Sequence, residues 1–193
     1  MNKFKSISNT MILYTTATCN LNCVYCFIDK NSALKTIDNY LDDSYYKTPD
    51  YYIDFSKEIF EKDKLTEMQF WGGEPFLALR RAYYTVEECI KYYPNLSAFM
   101  ASTNFAHDTF FEEFYGFLDI LKKYPDRKFT FRLQLSCDGP KYINDVNRGE
   151  GVTDKIITHF EKLIQELQNS ITDNITIKFS FKPTLDSNTI EKL

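Results

Sequence analysis

Phe129-Thr130-Phe131-Arg132-Leu133-Gln134-Leu135-Ser136 alternates strictly between apolar and polar residues, and Ile175-Thr176-Ile177-Lys178-Phe179-Ser180-Phe181-Lys182 repeats the pattern. A period of two is the mark of a β-strand with one face buried. Between them lies a helical pattern in which Ile156, Phe160, Leu163, Ile164 and Leu167 recur on one face. A strand, a helix and a strand joined at crossover length make a βαβ unit, which places the two strands parallel. Parallel strands covered on both sides normally read as continuous apolar runs. Here one face is polar. Two arrangements fit that face: a half-solvated antiparallel sheet, or a curved parallel sheet with helices outside and an open polar inner face that holds a ligand. The crossover-length connections favour the second.

The same alternation of elements extends outward to both ends. A first strand is expected at Met11 to Thr16 and a second at Met68 to Trp71, running into Gly72-Gly73. A third covers Ala98 to Asn104. Thr48-Pro49 reads as an N-cap with proline in the first turn, opening a helix that presents Tyr52, Phe55 and Ile59. Leu79, Ala82, Tyr83, Val86, Ile90 and Tyr93 predict the next helix, stopped by Pro94. Phe110, Phe114, Phe117, Leu118 and Leu121 predict another, stopped by Pro125. The Asn-, Asp- and Tyr-rich stretch from Asn31 to Asp50 reads as an insertion within the same domain, and a last helix is expected to begin near Asn188. Five strands separated by amphipathic helices define an α/β fold with a parallel sheet.

Composition narrows the functional classes. The chain has 193 residues, of which 44% are hydrophobic and 26% charged, as in an ordinary globular domain. Its 17% aromatic content, with 14 Tyr and 17 Phe, predicts an aromatic core. A net charge of −4 argues against a nucleic-acid partner, which would require a basic face. No run approaches the roughly 18 apolar residues of a membrane helix, so no membrane partner is expected. Met1 to Thr10 lacks the apolar centre of a signal peptide, and the expected compartment is the cytoplasm.

Chemistry concentrates in Thr18-Cys19-Asn20-Leu21-Asn22-Cys23-Val24-Tyr25-Cys26-Phe27, directly after the first strand. Three thiolates spaced C-x3-C-x2-C can each hold one iron of a [4Fe–4S] cubane, leaving the fourth iron for a ligand that is not protein. Two other readings stand beside this one. A structural zinc site would draw a fourth ligand from Cys89, Cys137, His107 or His159. The three cysteines could also be plain core residues. Cys89 and Cys137 fall on apolar faces and read as packing residues, His107 as a loop or helix-start residue, and His159 as helix surface.

Three further strand ends carry candidate groups. In Trp71-Gly72-Gly73-Glu74-Pro75, two glycines permit close backbone approach to a ligand, and Glu74 offers acceptors to an ammonium group. Ser102-Thr103-Asn104 ends the third strand, as a ligand contact or as a plain strand end. Ser136-Cys137-Asp138-Gly139-Pro140 ends the fourth, and Arg148 follows, either pairing a carboxylate or standing solvated in its loop. Asp138 reads as a turn cap through its own backbone. By alternation Arg132, Gln134, Lys178 and Lys182 face the open side of the sheet and are expected to line the cavity that holds ligand and substrate.

The cysteine loop resembles the signature of the radical S-adenosylmethionine (SAM) superfamily, C-x3-C-x-aromatic-C, with Tyr25 in the aromatic place. Ser136 to Pro140 with Arg148 is similar to the peptide- and protein-modifying subgroup, which includes anaerobic sulfatase-maturating enzymes and SPASM-domain maturases. The resemblance implies a partial (β/α)6 barrel, here truncated after about five strands. The whole chain, 1–193, would be a radical SAM core domain incomplete at its C-terminus, without a SPASM or auxiliary-cluster domain. It implies that Cys19, Cys23 and Cys26 hold the [4Fe–4S] cluster. The Gly72, Gly73 and Glu74 region would bind the SAM amino group, Ser136 and Arg148 the carboxylate, and Asn104 would lie near SAM in the place of the family's Thr-Asn-Gly, with Phe105 replacing glycine. The implied activity is reductive cleavage of SAM to a 5′-deoxyadenosyl radical, which abstracts hydrogen from a peptide or protein. The electron would come from a flavodoxin- or ferredoxin-type donor. Two alternatives are a non-catalytic cluster- or SAM-binding fragment acting with a partner, and an activase for a glycyl-radical enzyme.

Overall fold

The computed structural model describes residues 8–28 and 49–184. The Thr48 cap, the helix near Asn188 and most of the Asn31 to Asp50 insertion lie outside the described residues. Five strands form one sheet: β1 (Thr10–Thr16), β2 (Glu67–Gly72), β3 (Ala98–Thr103), β4 (Phe129–Leu135) and β5 (Ile175–Phe181). Their spatial order equals their chain order, and every neighbouring pair is parallel. The antiparallel alternative is thereby excluded. The strands form an open sheet and do not close into a barrel.

The connections carry α1 (Pro49–Ile59), two short 3₁₀ turns at Pro75–Leu77 and Leu79–Ala82, α2 (Tyr83–Tyr92), α3 (Thr109–Lys122), α4 (Lys141–Arg148) and α5 (Val152–Ser170). Register sets the two faces. Met68 stands beside Phe99, which stands beside Phe131, and all three are fully buried under the helices. Gln69, Met100 and Arg132 line up on the opposite face, which carries no helix among the described residues. Arg132 pairs there with Glu67 at 2.5 Å.

The core is aromatic, as the composition implies. Phe117 of α3 meets Phe70, Phe99 and Phe131 edge-on at 5.3, 5.1 and 5.0 Å between ring centroids. Burial of each such ring contributes roughly 1.5–3 kcal/mol, and edge-on geometry adds to it because a positive ring edge meets a negative face. Arg127 closes the opposite end of the sheet. Its guanidinium donates to the carbonyls of Ile90, Tyr93, Pro94 and Leu96, which satisfies the chain after α2 where Pro94 ends the helix.

Two helices depart from expectation. In α1 the inward face is Ile53 and Ser56, with Tyr52 and Ile59 partly covered. Phe55 is exposed and stacks on Tyr51 at 6.2 Å. The Ser56 hydroxyl bonds the Tyr93 hydroxyl at 2.8 Å, so a polar residue occupies an inward position that apolar periodicity does not mark. The second departure is α4, which no apolar pattern announces. Besides Ile143, its buried residues are Asn144, Asn147 and Arg148.

Candidate functional site

A cavity of about 360 Å³ opens at the C-terminal ends of the strands, where parallel α/β sheets place their ligands. The ten residues that the resemblance assigns to cluster or SAM line it: Cys19, Cys23 and Cys26 with Tyr25, then Gly72, Gly73 and Glu74, then Asn104, Ser136 and Arg148.

The cysteine loop leaves β1 and is seated by the glycine pair. Gly73 donates its N–H to Thr16 O at 2.8 Å, and Glu74 donates to Thr18 O at 2.9 Å. A Cβ on Gly72 would stand 2.3 Å from Thr16 O, and one on Gly73 would stand 2.5 Å from both Ala17 O and Thr18 O. The close approach that demands glycine is therefore to the backbone entering the cysteine loop. Cys19, Cys23 and Cys26 are half-buried. Cys19 Sγ accepts the Leu21 N–H at 3.4 Å and the Asn104 side-chain amide at 3.7 Å. Among the described residues no three His, Cys, Asp or Glu side chains converge on a single metal ion.

Asn104 faces the loop as well. Its Nδ2 donates to Asn20 Oδ1 at 2.8 Å while its Oδ1 takes the Ala106 N–H at 2.9 Å. Phe105 holds a left-handed backbone (φ 57°) with its ring fully buried against Phe110 at 4.4 Å.

Glu74 differs from the lip carboxylate expected. Its side chain is 1% exposed. Oε1 accepts the Phe76 N–H at 3.1 Å, capping the first 3₁₀ turn, and Oε2 accepts the Asn104 N–H at 2.7 Å. His107 Nε2 lies 3.5 Å from Oε1. Glu74 thus ties the end of β2 to the end of β3. Ser136 borders the cavity, and its N–H is held by Thr103 O at 2.8 Å.

Arg148 is buried, not solvated. Its Nη2 donates to Asp138 Oδ1 at 2.7 Å, and its guanidinium lies over the Tyr25 ring at 5.5 Å. Its Nε has no hydrogen-bond partner among the described residues. Asp138, read from sequence as a turn cap, is a buried acceptor for Tyr25 OH at 2.6 Å. The serine-to-proline motif around it was the available signal, but a turn explains Asp-Gly-Pro equally well. Lys182 also lines the cavity, its ammonium 5.7 Å from the centre of the Trp71 ring. Arg132, Gln134 and Lys178 instead border a separate, smaller cavity of about 220 Å³ with Met100.

His159 is buried, bonding Phe105 O through Nδ1 at 2.9 Å; it is not helix surface. Cys137 lies beyond the end of β4 and is half-exposed, with its Sγ 3.6 Å from Gly139 O, so the strand alternation that predicted packing does not reach it. Cys89 is fully buried, as expected.

The family model of the Radical SAM superfamily matches residues 13–179. The chain belongs to the radical SAM superfamily. No curated protein matches it significantly. Among solved structures it resembles native anSMEcpe with bound AdoMet, at 22% identity and a TM-score of 0.58, over 94% of this chain and 45% of that one. It also resembles native anSMEcpe with bound AdoMet and Kp18Cys peptide, at 22% identity and a TM-score of 0.55. The anSME protein is an anaerobic sulfatase-maturating enzyme. This radical SAM chain spans less than half the length of those solved chains. No helix among its described residues is long and apolar enough to cross a membrane.

Proposed function

We propose that residues 1–193 form the radical SAM core domain of a cytoplasmic peptide- or protein-modifying enzyme. In this reading Cys19, Cys23 and Cys26 hold a [4Fe–4S] cluster, and SAM lies beside it in the same cavity. The observation that carries the reading is the orphaned Nε of buried Arg148, on a cavity that also holds the three cysteines. A buried guanidinium N–H without an acceptor is costly, and a ligand carboxylate would satisfy it by charge-assisted hydrogen bonding. The donor set fits the group: three thiols with N–H contacts on one sulfur are the ligands that iron–sulfur clusters take. Each of the three thiolates would bind a different iron of the cluster, so convergence of the three on a single ion is not required.

When bound and reduced, the cluster would supply one electron to split SAM into methionine and a 5′-deoxyadenosyl radical, which takes a hydrogen atom from the substrate. The chain's own residues bind and orient. Arg148 and Ser136 would hold the SAM carboxylate. With Glu74 turned into the fold, the backbone of Gly72 and Gly73 is left to face the amino group. Asn104 acts on the cysteine loop. Lys182 and Trp71 border the space left for a peptide, and a flavodoxin- or ferredoxin-type protein would deliver the electron.

Anaerobic reconstitution of the full chain with iron and sulfide tests this reading. About four irons and four sulfides per chain are expected, with a reduced-cluster paramagnetic spectrum that changes when SAM is added. Cys23→Ala should lose the cluster. A full chain that takes up no cluster, or a Cys23→Ala variant that keeps it, would overturn the assignment.

A further inference from the structure

Asp138 is 2% exposed and accepts four hydrogen bonds from three separate segments. Oδ2 takes Tyr25 OH at 2.6 Å and Asn147 Nδ2 at 3.3 Å; Oδ1 takes Arg148 Nη2 at 2.7 Å and the Thr184 N–H at 2.9 Å. The donors come from the cysteine loop, from α4 and from the chain just beyond β5. The Asp138 backbone is fixed as well, since its N–H donates to Asn144 Oδ1 at 2.9 Å. The cysteine loop and α4 meet again where Val24 N–H donates to Asn147 O at 2.9 Å.

An ionised carboxylate has about four acceptor positions. All four are used here, so Asp138 has none left for a ligand and acts through its neighbours. Arg148 is the neighbour on the cavity. Its guanidinium is a planar fork. Asp138 fixes one arm, the Tyr25 ring covers the face, and the Nε edge remains without an acceptor. Tyr25 sits between Cys23 and Cys26, so one carboxylate orients both groups, the guanidinium through Oδ1 and the cysteine loop through Oδ2.

We propose that Asp138 is a positioning residue that locks Tyr25 of the cysteine loop and Arg148 of α4 in one register, so that the carboxylate-binding edge of Arg148 stands at a fixed place relative to the cluster ligands. The proposal rests on the functional reading given above. An asparagine in its place would keep the volume but turn an amide N–H₂ toward donors on one side.

The test compares SAM affinity in the full chain, measured by calorimetry on the apo protein and by the SAM-dependent change in the reduced-cluster spectrum after reconstitution. Asp138→Asn is expected to retain wild-type iron and sulfide content while its Kd for SAM rises about tenfold, as when a partner that orients a ligand is removed. Tyr25→Phe, which removes one donor and strands no charge, should raise Kd about fivefold, one hydrogen bond's worth. The double variant should bind no worse than Asp138→Asn alone, because both changes break one linkage. A merely structural role would lower stability and cluster content together and leave the affinity of the folded fraction unchanged. Asp138→Asn with a wild-type Kd overturns the proposal. If that variant does not fold, Tyr25→Phe decides by the same criterion. A wild-type chain that loads its cluster but binds no SAM is a distinct result, which overturns the functional reading and the proposal with it.

Discussion

Gly73 donates its backbone N–H to Thr16 O at 2.8 Å, and a Cβ at Gly73 would lie 2.5 Å from the next two carbonyl oxygens of that strand end. The end of β2 therefore serves as the seat of the cysteine loop. Backbone carbonyls cannot swing aside as a flexible side chain can. Gly73→Ala is expected to destabilise the chain by about 1–3 kcal/mol, the usual cost of overpacking, and to lower the iron retained after reconstitution. Urea unfolding and iron analysis of the variant check both. Wild-type stability with full iron content would contradict the seating role.

Phe105 holds a positive φ of 57°, and its ring is fully buried. Glycine would relieve about 1–2 kcal/mol of left-handed strain but leave a cavity worth about 3–5 kcal/mol. Phe105→Gly should therefore be less stable by about 1–4 kcal/mol. Chemical denaturation reads the sign directly, and a stabilised variant would refute the packing argument.

Asp138 makes stability depend on pH. Burial alone would raise its carboxyl pKa; hydrogen bonds from Arg148, Tyr25 and the Thr184 N–H outweigh that and hold it below the ordinary value. A depressed folded pKa contributes stability above the unfolded value of about 4, and that stability is lost as pH falls through the folded value. Unfolding free energies of wild type and Asp138→Asn should differ by about 2–3 kcal/mol at neutral pH and converge toward pH 2. A gap that does not change with pH would show that the charge of Asp138 contributes nothing.

The cysteines should separate by reactivity. Burial pushes the Cys89 thiol up to about 12, only partly offset by its Ser56 hydrogen bond, and the thiolate is the reactive form. Iodoacetamide at pH 8 should label half-exposed Cys137 in the native apo chain and spare Cys89 until the chain is unfolded. Mass spectrometry of timed samples checks this, and early labelling of Cys89 would contradict its place in the core.

Much of this was legible in the sequence because apolar side chains write their burial as period. Phe129 to Leu135 and Ile175 to Phe181 alternate and form strands; Phe110, Phe114 and Phe117 recur at helical spacing and bury. Motif residues at strand ends could be gathered because a parallel sheet brings those ends to one edge. Polar burial was not legible. Asn144, Asn147 and Arg148 bury on α4 through hydrogen bonds to Asp138 and Thr153, which flank the helix in sequence, and polar pairing of that kind leaves no apolar period to read. Glu74 illustrates a second limit: one oxygen caps the Phe76 amide two residues on, and the other takes the Asn104 amide, 30 residues away, which only the fold brings near. His159 looked like surface because its buried partner, Phe105 O, lies 54 residues away.

The central claim is that the cavity lined by Cys19, Cys23, Cys26 and Arg148 brings a reducible cluster and SAM together. Its most direct test is the amount of 5′-deoxyadenosine formed when the reconstituted full chain is reduced anaerobically with SAM present. The account predicts 5′-deoxyadenosine and methionine in equal amounts from wild type and none above background from Cys23→Ala. A wild-type chain carrying a full, reduced cluster that binds SAM yet forms no 5′-deoxyadenosine would contradict it.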